Sequence, residues 1–296
     1  MPFLSIVIAN YNYGHFLESA IKSVLSQGMG REIELIICDA MSTDNSIEII
    51  KKYANGLPAG VHRSQWESVD GQEVDSTKIV WWCSEKDGGQ SDAFNKGFSH
   101  SSGRFLTWLN ADDILLPGAI FALKKVAERY PRESWFGGGA VYFNGESGFE
   151  FKKSVLPTTL AQRLFKVPSW CRVDAPSTFF SKSLFDRSQK LNVSLAYVMD
   201  IDLWMQFCEM GVKLRYIDRY VWGFRLHSES KTSSAMVKNI RKSRFERERI
   251  EIRVRRNISN RNEMLAIIRK RMACILDCSY IRRLFSSQKY RMDIKK

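Results

Sequence analysis

Apolar residues in the first part of the chain fall into short runs that stop abruptly at polar positions. Leu4–Ala9, Glu34–Cys38, Ile79–Cys83 and Phe105–Leu109 are such runs. Their length and their branched and aromatic content predict strands buried on both faces of a sheet. Between the first two the period changes. Leu17, Ala20, Ile21, Val24 and Leu25 recur at helical spacing, and Gln27-Gly28 ends that helix. Ile47, Ile50 and Tyr53 then follow Ser42-Thr43-Asp44, which can cap a second helix. Strand and helix in alternation predict a parallel sheet with right-handed crossovers, an α/β fold.

Further along, Pro117 to Tyr130 has a helical pattern, and Trp135 to Tyr142 reads as a strand, with Gly137 to Gly139 inside it and a hairpin toward Phe151. Leu160 to Phe165 predicts a short helix, and Leu203, Trp204, Phe207 and Cys208 predict one packing a single face inward. Lys213 to Ile217 and Val221 to Leu226 predict two closing strands. Residues 56 to 78 are polar and irregular and read as a surface insertion.

Candidate chemistry gathers where the strands end, because ligands of open parallel sheets bind beyond the carboxyl ends of the strands. The run Phe105–Leu109 ends in Asn110-Ala111-Asp112-Asp113. Two adjacent carboxylates repel each other. Either a hard cation such as Mg²⁺ or Mn²⁺ lies beside them, or one caps the following helix. Asp39 ends the second strand, where it either accepts a hydrogen bond from a base or ribose or merely begins a turn. After the third strand, the stretch Ser84 to Gly97 reads as a loop whose Gly88-Gly89 lets backbone approach a ligand. Asp87, Gln90 and Lys96 there offer an acceptor, an amide and a cation. Neither standard phosphate loop is present, so a bound diphosphate needs a metal to neutralise it. Asp200 and Asp202 sit at a helix start, as caps or as functional carboxylates. Trp170 and Phe179 are either core or a stacking surface for a sugar.

Length and charge narrow the class. At 296 residues the chain has room for one or two domains and a full core. No run is long enough to span a bilayer, and the opening run is too short for a signal peptide. The six cysteines form no CxxC pair, which suits a reducing, cytoplasmic setting. The net charge of +13 is unevenly placed: residues 238 to 296 hold 19 Lys and Arg against 6 Asp and Glu, leaving 26 of each sign elsewhere. Leu265, Ile268, Met272, Ile275 and Leu276 form a stripe in that tail, flanked by Arg269-Lys270-Arg271 and by Arg282-Arg283. Such a helix either lies on an anionic membrane or docks on the protein's own body. Nucleic acid is disfavoured as a partner, since aromatic residues do not interleave with the tail's Lys and Arg and the remainder is neutral.

Four ordered stretches, Ile6 to Asn12, Cys38-Asp39 to Asp44, Glu85 to Gly97 and Trp108 to Asp113, together resemble the family-2 glycosyltransferases, over roughly residues 1 to 235. The resemblance implies the GT-A (nucleotide-diphospho-sugar transferase) fold, a Rossmann-like mixed sheet flanked by helices. Its nucleotide half would be about 1–115 and its acceptor half about 116–235, followed by a basic helical tail at 236–296. It places Asn10 near the nucleotide, Asp39 and Asp87 on the base, and Lys96 near the ribose or phosphates. Mg²⁺ or Mn²⁺ would rest on Asp112, with Asp113 and His227 as further ligands. Asn110 stands where the family's Asp-x-Asp motif begins, Ala175 where Gln is common, and Met199 where Glu is frequent. Asp200 matches the general base. The implied activity is inverting transfer from a nucleotide-sugar, a UDP-sugar, to a glycan or lipid-linked acceptor in capsule, O-antigen or exopolysaccharide synthesis. The enzyme would be cytoplasmic and peripheral on the inner face of the plasma membrane through residues 238–296, a tail with no matching role in the catalytic fold. The other reading is a non-catalytic carbohydrate-binding or scaffold protein on a degenerate transferase fold.

Overall fold

The computed structural model describes residues 1–66, 78–145, 147, 150–154, 168–171, 173, 177–230 and 235–276. The chain divides into two compact units, Met1–Ser134 with Phe179–Ala196, and Trp135–Thr178 with Tyr197–Lys296. The predicted helix Leu160 to Phe165, Ala175, the Arg282-Arg283 pair and the middle of the 56–78 insertion lie outside the described residues.

In the first unit β1 (Leu4–Asn10) is followed by α1 (Gly14–Leu25), β2 (Ile33–Asp39), α2 (Ser46–Ala54), α3 (Arg63–Trp66) and β3 (Lys78–Ser84). Then come α4 (Gln90–Ser99), β4 (Phe105–Asn110), β5 (Ile114–Leu115) and α5 (Ala119–Arg129). Strands β6 (Trp135–Asn144) and β7 (Glu150–Lys153) belong to the second unit, whereas β8 (Thr178–Ser181) from Phe179 on and α6 (Lys182–Arg187) belong to the first. Five of the first unit's strands run in the order β3-β2-β1-β4-β8. The first four are mutually parallel, and β8 pairs antiparallel with β4. Leu4, Ile6, Val7 and Ile8 are all fully buried, as a strand covered on both faces requires.

The stretch Ser84 to Gly97 differs from expectation, because helix α4 begins at Gln90 instead of a loop running to Gly97. Gly89, at φ 109°, turns the chain into the helix, and the Asp92 carboxylate accepts the Gly88 N–H at 2.9 Å. Ala93, Phe94, Gly97 and Phe98 form its buried stripe. Gly97 lets the helix lie close on the sheet: a Cβ there would stand 2.2 Å from a Val7 methyl.

In the second unit β6 pairs antiparallel with β7 and parallel with β9 (Arg215–Leu226). The two closing strands are therefore one, whose register against β6 shifts twice around Gly139. The glycines permit close pairing, since a Cβ on Gly138 would meet Val221 at 2.7 Å. Helix α7 (Met199–Glu209) packs Trp204 on Trp135 with ring centroids 5.4 Å apart, and Phe207 edge-on to the same ring. Helices α8 (Ala235–Arg255) and α9 (Asn260–Leu276) complete the described chain. Phe179 is fully buried, so it is core and offers no face to a sugar.

Candidate active site

Register brings the polar strand ends of the first unit into line. Asn10 pairs with Asp39, Asp39 with Ser84, and Ala9 with Asn110. Asp39 is almost fully buried, and its carboxylate is saturated. Oδ1 accepts from Asn10 Nδ2 at 2.7 Å and Ser42 Oγ at 2.5 Å, and Oδ2 from Ser84 Oγ at 2.6 Å and Ser42 N at 3.0 Å. Four donors stabilise a buried carboxylate that would otherwise be costly. The turn after β1 is tied to the same cluster. Asn12, at φ 54°, donates its N–H to Ser42 Oγ at 2.8 Å, and its side chain accepts from Thr43 N at 2.7 Å. Asp44 accepts both the Gly14 N–H of α1 and the Ser46 N–H of α2, at 2.8 and 3.0 Å.

A second polar chain runs through the acidic turn. Gln90 Nε2 donates to Asn110 Oδ1 at 2.7 Å, and Asn110 Nδ2 donates to Asp113 Oδ2 at 2.9 Å. The amide at position 110 thus bridges helix α4 to a buried carboxylate, which an Asp there could not do without repulsion. Asp113 also closes the turn, its N–H bonded to Asn110 O at 3.0 Å. Asp112 keeps part of its surface accessible. Lys96 forms an ion pair with Glu85 at 2.9 Å. Desolvation is the largest single influence on its pKa and lowers it, but the Glu85 hydrogen bond and the charges of Glu85, Cys83 and Asp92 together outweigh it and raise the value. Asp87 accepts the Gly89 N–H at 2.9 Å and shapes the entry to α4.

In the second unit Asp200 lies in the first turn of α7, where the helix dipole favours an ionised carboxyl. Burial outweighs that influence. Desolvation raises the Asp200 pKa to about 6, opposed in part by the Ile201 N–H, which donates at 2.8 Å. Residues on both sides of it are held by α8 and the segment just after it. Glu248 accepts the Tyr197 N–H at 2.9 Å. The buried Asp202 accepts from Arg256 Nε and Nη2, both at 3.1 Å, and from Gln206 Nε2 at 3.1 Å. Arg256 also reaches Glu209 at 2.7 Å. The start of the tail therefore braces the helix that carries Asp200, a role the sequence did not reveal. His227 follows β9 and is half-buried.

The model of Glycosyl transferase family 2 matches residues 5–187, more than half of the chain. The chain belongs to this family. Asp200 and His227 lie beyond the matched range. This family 2 transferase is 23% identical over 245 residues to UDP-Glc:alpha-D-GlcNAc-diphosphoundecaprenol beta-1,3-glucosyltransferase WfaP of Escherichia coli, covering 82% of this chain and 85% of that protein. It spans only 32% and 21% of the length of two longer curated glycosyltransferases that it also matches. Among solved structures, S. aureus TarS in complex with UDP-GlcNAc superposes with a TM-score of 0.57 at 16% identity, covering 79% of this chain and 61% of that one. The mannosyltransferase PcManGT from Pyrobaculum calidifontis, in complex with GDP-Man and Mn²⁺, gives 0.54 at 13% identity, covering 96% of this chain and 81% of that one. The shared fold is GT-A, as the sequence resemblance implied.

Proposed function

We propose that this transferase moves a sugar from a UDP-sugar to a hydroxyl of a glycan or lipid-linked acceptor during bacterial surface polysaccharide synthesis, by one inverting displacement. The observation that carries the reading is Asp200, a partly accessible carboxyl in the first turn of α7 whose pKa desolvation raises to about 6. That value leaves it ionised at neutral pH yet more basic than an ordinary aspartate, as a general base requires. Asp200 takes the proton from the acceptor hydroxyl as its oxygen attacks the anomeric carbon, and no covalent enzyme intermediate forms.

On the donor side the strand ends provide the nucleotide site. Asp39 organises that site, and with its four donors in place Asn10 Oδ1 is a buried acceptor with no hydrogen-bond partner among the described residues. A base N–H meets it there, with Asp87 on the same side of the nucleotide and Lys96 toward the phosphates. The oxygen donors of the acidic turn suit Mg²⁺ or Mn²⁺. Among the described residues no three His, Cys, Asp or Glu side chains group as a metal site, so an ion would draw its remaining ligands from the diphosphate and water. Asp112 would hold it, while Asp113 is already engaged by Asn110 and His227, the further ligand expected from the sequence, belongs to the second unit. When bound, the ion supplies Lewis-acid stabilisation of the departing diphosphate. The WfaP name, with UDP-Glc and a diphosphoundecaprenol acceptor, supports uridine and a lipid-linked acceptor, and the Mn²⁺ of PcManGT supports a divalent ion. Such an acceptor fits an anionic membrane surface met through residues 238–296.

The test is incubation with a panel of UDP-sugars, Mn²⁺ and an undecaprenyl-diphosphate-linked sugar. A lipid-extractable product of inverted anomeric configuration is expected. Nucleotide binding without turnover of any donor would instead favour a carbohydrate-binding scaffold.

A further inference from the structure

Helix α9 has its faces reversed relative to an ordinary surface helix. Its buried side is made of small or ion-paired residues, Ala266, Ala273, Cys274 and Glu263. The Glu263 carboxylate accepts from Arg249 and, at 2.8 Å, from Arg253, which fastens this side to α8. The large apolar residues point the other way. Met264 is 64% exposed and Ile275 67%, and Leu265, Ile268, Met272 and Leu276 are exposed with them. At 3.6 residues per turn these six side chains occupy a sector of about 120°, opposite the buried face. Arg261, Arg269 and Arg271 are exposed within or beside that sector. The stripe seen in the sequence is therefore presented outward by a helix whose inner side is already anchored.

We propose that this face of α9 docks the protein on an anionic lipid bilayer, with the helix in the plane of the surface. Its apolar side chains would sit at the boundary of headgroups and acyl chains, and its arginines against lipid phosphates. This narrows the membrane association proposed above, on which it rests, to one helix face. A spanning arrangement does not fit, because among the described residues no helix is long and apolar enough to cross a membrane. Charge decides between lipid and a second copy of the chain. A two-fold contact through this face would gather Arg261, Arg269 and Arg271 of both copies into one interface, in a tail with 19 basic and 6 acidic residues. An anionic bilayer turns the same arginines into attraction.

The experiment is co-sedimentation of the full chain with vesicles of phosphatidylcholine alone and of phosphatidylcholine mixed with phosphatidylglycerol. Binding to the mixed vesicles, weak binding to neutral ones, and weakening by added salt are expected. Arg269→Glu with Arg271→Glu should lower partitioning by about tenfold or more, and Ile268→Asp with Met272→Asp by about a hundredfold. Helix content by circular dichroism and donor turnover in solution should stay unchanged in both variants. Absence of binding to the mixed vesicles would overturn the proposal. So would undiminished binding by Ile268→Asp/Met272→Asp, or a lipid-free dimer in sedimentation that this variant dissolves. Failure of donor turnover with vesicle binding intact would count against the transferase reading alone.

Discussion

Replacing Asp200 by Asn should make the protein more stable at mildly alkaline pH while abolishing transfer. The Asp200 carboxyl titrates at about 6 in the folded chain, against the ordinary 3.8, because burial penalises its charged form. A shift of roughly two units corresponds to about 3 kcal/mol at 1.36 kcal/mol per unit. The folded state binds this proton more tightly than the unfolded state does. The stabilisation is thus full below the unfolded value of 3.8 and is lost as pH rises through about 6. Asn has nearly the same shape, still accepts the Ile201 N–H and carries no charge. Urea denaturation near pH 8 should show the variant more stable by up to about 3 kcal/mol, with the difference vanishing near pH 3. A difference that is the same at both pH values, or a variant less stable at alkaline pH, would refute desolvation of an ionised carboxylate. The wild-type rate should correspondingly rise with pH through about 6, as the base loses its proton.

Three further perturbations address the frame around the site. Arg256→Met removes the guanidinium hydrogen-bonded to the buried Asp202, leaving Arg255 at 3.8 Å, and should cost up to about 3–5 kcal/mol in urea denaturation, most of it recovered by adding Asp202→Leu. Asp112→Ala removes a partly exposed carboxylate. It should change stability by no more than about 0.5 kcal/mol and weaken Mn²⁺-dependent nucleotide binding by calorimetry about tenfold or more. Asn110→Asp sets a second carboxylate against Asp113 in place of the amide donor. Thermal melting should show a loss of about 1–3 kcal/mol without metal, partly restored by Mn²⁺.

The parallel core was legible because Leu4 to Ala9 and its companion runs are buried on both faces, and uninterrupted apolar runs are the signature of such strands. Helix α4 was not, since its buried set is short and two glycines precede it. Asp39 stood out as a strand-end acid, but its donors Ser42 and Ser84 are short hydroxyls that only the register of adjacent strands assembles. The bracing of α7 was hidden for a related reason. Glu248 and Arg256 lie about fifty residues from their partners, inside a basic tail that charge counting assigns to solvent or lipid. The apolar stripe of the tail was visible, yet only the burial of Ala266 and Ala273 shows which way it faces. Family membership was carried by four motifs in order, and the family match over residues 5–187 covers all of them.

The central claim is that Asp200 acts as base and Asp112 supports the metal-bound donor. The most direct measurement pairs calorimetric UDP binding in the presence of Mn²⁺ with donor turnover, on the wild type, Asp200→Asn and Asp112→Ala. The account predicts that Asp200→Asn binds UDP like the wild type and does not turn over, while Asp112→Ala binds UDP about tenfold or more weakly and loses turnover. Turnover surviving Asp200→Asn, or UDP binding indifferent to Asp112→Ala, would contradict it.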